Sequence, residues 1–136
     1  MKYLSDYNDE AMTKLFDETG TFFAFNEKHL NEHRQEGVEY VSLGGGMICP
    51  KDNAKALIEQ LDNIIDAGMK ADLAENGKKG VIHRELANHE YSYTYDITDT
   101  ARALKGYGIT EEEIQAEASA YLKEYHAWED KQEAIA

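Results

Sequence analysis

The stretch GVIHRELANHEYSYTYDI, residues 80–97, decides how the chain is read. Val81, Ile82, Tyr91, Tyr93 and Tyr95 are β-branched or aromatic, the residue types that fit a pleated, half-buried surface. Strict alternation would set Tyr91, Tyr93 and Tyr95 on one face, and would oppose Val81, His83 and Glu85 to Ile82, Arg84 and Leu86. Between the two runs, Ala87, Asn88 and His89 have the length of a hairpin loop. The expectation is a β-hairpin with strands at 80–86 and 90–97. Asn88 would be its turn residue, with His89 and Glu90 bonding backbone groups around the turn.

Working outward, Leu4, Tyr7, Ala11 and Leu15 share one helical face, and Thr19 with Gly20 ends that helix. TFFAF, residues 21–25, reads as a strand, stopped by Asn26 as the N-cap of the helical EKHLNEHRQEG. VEYVSL, residues 38–43, reads as a further strand, and Gly44, Gly45 and Gly46 allow a bulge or turn after it. Pro50 suits the first turn of a long helix, in which Ala54, Leu57, Ile58, Leu61, Ile64 and Ile65 follow the 3.6-residue period until Asn76 and Gly77. A short helix spans about 98–105. In the last helix Thr110 and Glu113 form a capping box, Ile109 and Ile114 stand at the staple positions, and an apolar stripe runs from Ile114 through Ala118, Tyr121, Leu122 and Tyr125 to Trp128. The resulting fold class is α+β, a small mixed or antiparallel sheet of about four strands with helices packed on one face.

The chain has 136 residues, 42% of them hydrophobic, with one proline and ten glycines. That length and the absence of a linker point to a single domain over 1–136 with frayed termini. One cysteine, Cys49, leaves no internal disulfide and no CxxC motif. The start MKYLSDYNDE lacks the basic and apolar regions of a signal peptide, and no apolar run approaches the roughly 20 residues that span a bilayer. A cytoplasmic protein with no membrane contact is expected.

Net charge is −13, and it is unevenly spread: acids outnumber bases 8 to 4 in residues 1–36, 7 to 3 in 37–76 and 8 to 2 in 107–136, whereas 77–106 holds 4 acids and 5 bases. Such a field repels phosphate backbones, so direct nucleic-acid binding is not expected, while a protein partner with a basic surface is.

His83, His89 and Glu90, with Glu85 between them, are ligand types for zinc or non-haem iron, but after His89 and Glu90 the second histidine of an HExxH pattern is replaced by Tyr93. Cys49, at the expected start of a helix, is a candidate thiolate nucleophile to pair with His83 or His89, against its plainer reading as a small buried apolar residue. The triple glycine matches neither GxxxxGK[ST] nor GxGxxG, so no nucleotide cofactor is expected, nor any other cofactor. His29 and His33 stand one helical turn apart among Lys28, Glu32 and Arg34, as on a solvated face. Nine tyrosines and one tryptophan exceed what a small core needs. Tyr91, Tyr93 and Tyr95, together with Glu111 and Glu112, are therefore candidate partner-binding residues.

Four stretches, TFFAFNEKHL, SLGGGMICPK, ELANHEYSYT and YGITEEEIQAE, resemble a family of small uncharacterised acidic proteins encoded by phages and mobile elements of gut bacteria. The resemblance covers most of residues 20–126. It implies no reaction, cofactor or catalytic residue, but a context in which small acidic proteins bind host proteins, including defence nucleases with basic grooves. The reading that results is a non-enzymatic, acidic protein-binding factor, anti-defence or regulatory in role. An anti-defence factor would inhibit a nuclease by mimicking nucleic acid. The alternative is a small metal-dependent or cysteine/histidine hydrolase centred on His83, His89 and Glu90.

Overall fold

A computed structural model describes residues 2–135; Met1 and Ala136, part of the termini expected to fray, lie outside the described residues. The chain is 74% helical with a three-stranded antiparallel sheet. It divides into two units, residues 2–68 and 69–136.

In the N-terminal unit, α1 (Leu4–Thr19) closes at Gly20, whose φ of 73° supplies the left-handed cap. Strand β1 (Phe22–Phe23) leads into α2 (Glu27–His33), whose N-cap is Asn26 as expected, its side chain accepting from the His29 backbone N–H at 2.9 Å. Strands β2 (Tyr40–Ser42) and β3 (Met47–Pro50) form a hairpin, and β3 is the central strand in the order β1-β3-β2. Val41 pairs with Cys49, and Phe22 with Ile48. All three residues of the glycine turn between β2 and β3 have positive φ, at 92°, 60° and 82°. This is conformational space that L side chains avoid, and it explains the GGG without any phosphate. The core gathers Leu15, Cys49 and Leu57, with Phe16, Met47, Leu61 and Ile64 packed against them. Pro50 ends β3 instead of opening the helix, and a 3-10 turn, Lys51–Asn53, intervenes.

The helix that follows, α3 (Ala54–Asn88), carries the principal correction. It breaks at Gly77 (φ 71°, ψ 162°), where the sequence marks an end, but the chain resumes helix at once and stays helical to Asn88. The expected strand at 80–86 is helix, and the expected strand at 90–97 is replaced by a single helical turn, α4 (Tyr91–Thr94). The sheet accordingly has three strands among the described residues, not about four, and β3 was not among those expected. Burial shows which pattern prevailed: Val81, Ile82, Glu85 and Leu86 are buried, at i, i+1, i+4 and i+5, a helical face that strand alternation cannot produce.

The C-terminal unit is completed by α5 (Thr98–Leu104), a 3-10 turn at Lys105–Tyr107, and α6 (Glu111–Ile135). The capping box forms as read: Glu113 N–H donates to Thr110 Oγ1 at 3.2 Å, and Thr110 N–H to Glu113 Oε1 at 3.3 Å. The core of this unit is Val81, Ile82, Leu86, Tyr91, Leu104 and Ile109 with Ile114 and Ala118 of α6. No helix among the described residues is long and apolar enough to cross a membrane.

Candidate functional site

The C-terminal unit is organised around a buried polar corner. Asp72 and Arg84 are twelve residues apart, about 18 Å along a straight helix, yet Arg84 Nη1 and Nη2 donate to Asp72 Oδ1 and Oδ2 at 2.8 and 2.9 Å. The break at Gly77 lets the two halves of the helix approach. Asp72 also accepts from Tyr107 Oη at 2.6 Å and Asn76 Nδ2 at 2.8 Å, and Arg84 Nε donates to Glu85 Oε1 at 2.9 Å. Burial works to raise the Asp72 carboxyl, but the hydrogen bonds from Arg84, Tyr107 and Asn76 outweigh it and hold it below the ordinary carboxylate range. Burial, and then its bond to Asp72, push the Tyr107 hydroxyl up to about 12. The groups in this corner are hydrogen-bonded to one another across the helical break and hold its two sides together.

The residues expected to form a hairpin site are distributed around a helix instead. His83 Nε2 lies 2.8 Å from Glu117 Oε2, its Nδ1 lies 3.5 Å from Glu124 Oε2, and its ring meets Tyr121 edge-on at 5.8 Å. Six residues on, about 120° around the helix, His89 Nε2 lies 3.4 Å from Glu85 Oε2. Asn88 is the last residue of α3, and the left-handed turn residue is Glu90, with φ 55°. Among the described residues no group of three His, Cys, Asp or Glu side chains is placed to hold a metal ion. Cys49 belongs to the N-terminal unit, is fully buried, and donates its thiol hydrogen to the Pro50 carbonyl at 3.3 Å. His29 and His33 are exposed, in keeping with a solvated face.

What the turn does build is an aromatic groove. Glu90, Ser92 and Tyr93 line one side, and Tyr121, Tyr125 and Trp128 of α6 line the other, around an open volume of about 550 Å³. The three α6 residues are spaced i, i+4 and i+7, so they stack along one face, with ring centroids 6.4 Å apart between Tyr121 and Tyr125 and 5.8 Å between Tyr125 and Trp128. Burial pushes the Tyr121 hydroxyl up, a hydrogen bond with Ser92 opposing it. Of the three tyrosines read as one strand face, the turn separates the roles. Tyr91 is 8% exposed in the core, Tyr93 is 87% exposed on the groove, and Tyr95 is 61% exposed with its ring against Tyr91 at 6.1 Å. Glu111 and Glu112 are exposed in the first turn of α6.

Trp128 is 55% exposed, an uncommon position for the one tryptophan of a small protein. The helical period sets Tyr121, Tyr125 and Trp128 on the apolar stripe of α6. The stripe in fact passes from buried Ile114 and Ala118 out to the surface. The signal that could have separated its halves was compositional, small and aliphatic residues giving way to amphipathic aromatics.

No curated protein and no solved structure matches the chain. A family profile matches it over residues 4–131. The chain therefore belongs to the family of unknown function DUF7659.

Proposed function

We propose that the protein is a non-catalytic binding factor that presents an acidic, aromatic surface to a basic protein partner. The observation that carries this reading is the groove: exposed Tyr93 on one side faces half-buried Tyr121 and Tyr125 and the exposed, sole tryptophan on α6, a helix whose sequence holds eight acids against two bases. Aromatic residues anchor interfaces because they bury large areas at low entropic cost, and surrounding charge steers a partner of opposite sign. The distribution of the −13 net charge supports a basic protein in preference to nucleic acid or an anionic membrane surface. The four sequence stretches that resemble phage and mobile-element proteins support a cytoplasmic role in a bacterial host. There the binder would occupy the basic nucleic-acid groove of a defence nuclease, or regulate such a protein.

The test combines capture and kinetics. Immobilised protein and a Tyr93→Ala/Trp128→Ala variant are each exposed to lysate of a bacterial host, and a retained protein is purified for rate measurements. The reading predicts a basic protein held by the parent and lost by the variant. Its association rate should fall steeply from low to physiological salt, where the Debye length is about 8 Å. Retention that ignores both salt and the aromatic substitutions would refute it.

A further inference from the structure

We infer that the groove receives an arginine side chain from a basic protein segment, the guanidinium stacking on the α6 aromatic faces and forking to the Glu90 carboxylate. The inference rests on the binding role proposed above and deepens it.

Three observations carry it. Four of the residues that line the groove, Tyr93, Tyr121, Tyr125 and Trp128, carry aromatic rings, and the face of such a ring bears the negative part of the quadrupole and attracts a cation within about 6 Å of the centroid. Glu90 lines the same groove, and its carboxylate has no hydrogen-bond or ion-pair partner among the described residues. A carboxylate beside aromatic faces complements a group that is both flat and positively charged. The backbone supplies the third: Glu90 and Tyr95, each with φ 55°, are the only non-glycine residues with positive φ among those described, and they bracket α4 on either side. Glycine or asparagine would occupy such positions more easily. Glutamate in left-handed backbone at the groove is strained, and strain of this kind gathers at binding sites.

The same chemistry selects among cations. A guanidinium is planar, stacks on an aromatic face and still offers two parallel N–H donors to one carboxylate. An ammonium is a compact, strongly hydrated point charge that can satisfy the carboxylate or the ring, but not both in one plane. An apolar side chain would leave Glu90 without a partner.

Trp128, being the only tryptophan, reports directly on the groove by its fluorescence. The full chain is titrated with the end-capped pentapeptide Gly-Gly-Arg-Gly-Gly and with counterparts carrying lysine, citrulline or leucine at the centre. Saturable change with the arginine peptide is expected, with citrulline, which keeps the shape without the charge, about five- to tenfold weaker and lysine also weaker. Glu90→Gln, which keeps the size and the backbone conformation, should weaken the arginine peptide about tenfold while leaving the circular dichroism spectrum unchanged. No saturation with arginine, equal binding of citrulline or leucine, or lysine binding as tightly as arginine would each overturn the assignment. If the arginine peptide fails while a basic partner is still captured in a salt-dependent way, this inference falls and the proposed function stands. If the peptide binds as expected while no partner depends on salt or on the groove, the proposed function falls, and with it the basic protein segment as the source of the arginine.

Discussion

Replacing Asp72 by alanine tests whether the buried corner holds the C-terminal unit in its helical form. The Asp72 side chain is fully buried and that of Arg84 is 4% exposed. Asp72 receives two hydrogen bonds from Arg84, at 2.8 and 2.9 Å, and one each from Tyr107 and Asn76. Removing it leaves the guanidinium buried with Glu85 as its remaining carboxylate, at 2.9 Å. Breaking a buried pair from one side costs about 3 to 5 kcal/mol, because the surviving charge is left without compensation. The residual pairing with Glu85 places the expected cost of Asp72→Ala near the lower end, about 3 kcal/mol. At about 3 to 4 °C per kcal/mol for a chain of this size, the melting temperature should fall by about 10 °C. Thermal and urea unfolding followed by circular dichroism measure both quantities. Removing both charges together, as in Asp72→Leu/Arg84→Met, should recover at least half of the loss, since an apolar pair of similar volume often replaces a buried ion pair at little cost. A loss below about 1 kcal/mol for Asp72→Ala, or strictly additive effects in the double variant, would refute the argument.

Thr110→Ala removes the acceptor that caps α6, made to the Glu113 N–H at 3.2 Å, and should cost about 1 kcal/mol by urea unfolding. Gly77→Ala should destabilise by about 1 to 3 kcal/mol purely through the backbone, because an added Cβ meets nothing within 4 Å while φ stays at 71°; an unchanged denaturation midpoint would mean that the helix does not break there. The Tyr107 hydroxyl, raised from 10.0 to about 12 in the folded protein, confers stability that is complete below about pH 10 and is lost as pH rises through about 12. Tyr107→Phe should therefore flatten the fall of stability between those pH values, measured as the difference from the parent.

The helix ends were legible because capping is local chemistry. Gly20, Asn26 and the Thr110/Glu113 box each act within four residues, and each was found where its residue type indicated. Residues 80–97 were not legible in the same way. Val81, Ile82 and the alternating tyrosines carry strand propensity, and tertiary burial overrode it: the face made by Val81, Ile82, Glu85 and Leu86 is closed by Leu104, Ile109 and Ile114, which lie far along the chain. Gly77 marks a break in the helix, as its residue type indicates, but a helix end and a helical corner carry the same local mark. What distinguishes them is Arg84 reaching back to Asp72, a pairing across twelve residues that no local pattern announces. The candidate site was legible in part. Tyrosine excess pointed to an aromatic surface, and Tyr93 does line it. Tyr121, Tyr125 and Trp128 were hidden in an apolar stripe whose outer half could not be told from its buried half by periodicity alone.

Hydrogen–deuterium exchange on the complex with a captured basic partner tests the central claim, that the groove is the docking surface, most directly. Protection on binding should concentrate in residues 90–95 and 121–128, which carry both walls of the groove. Protection confined to residues 2–68, with the peptides spanning Glu90, Tyr93 and Trp128 exchanging as in the free protein, would contradict it.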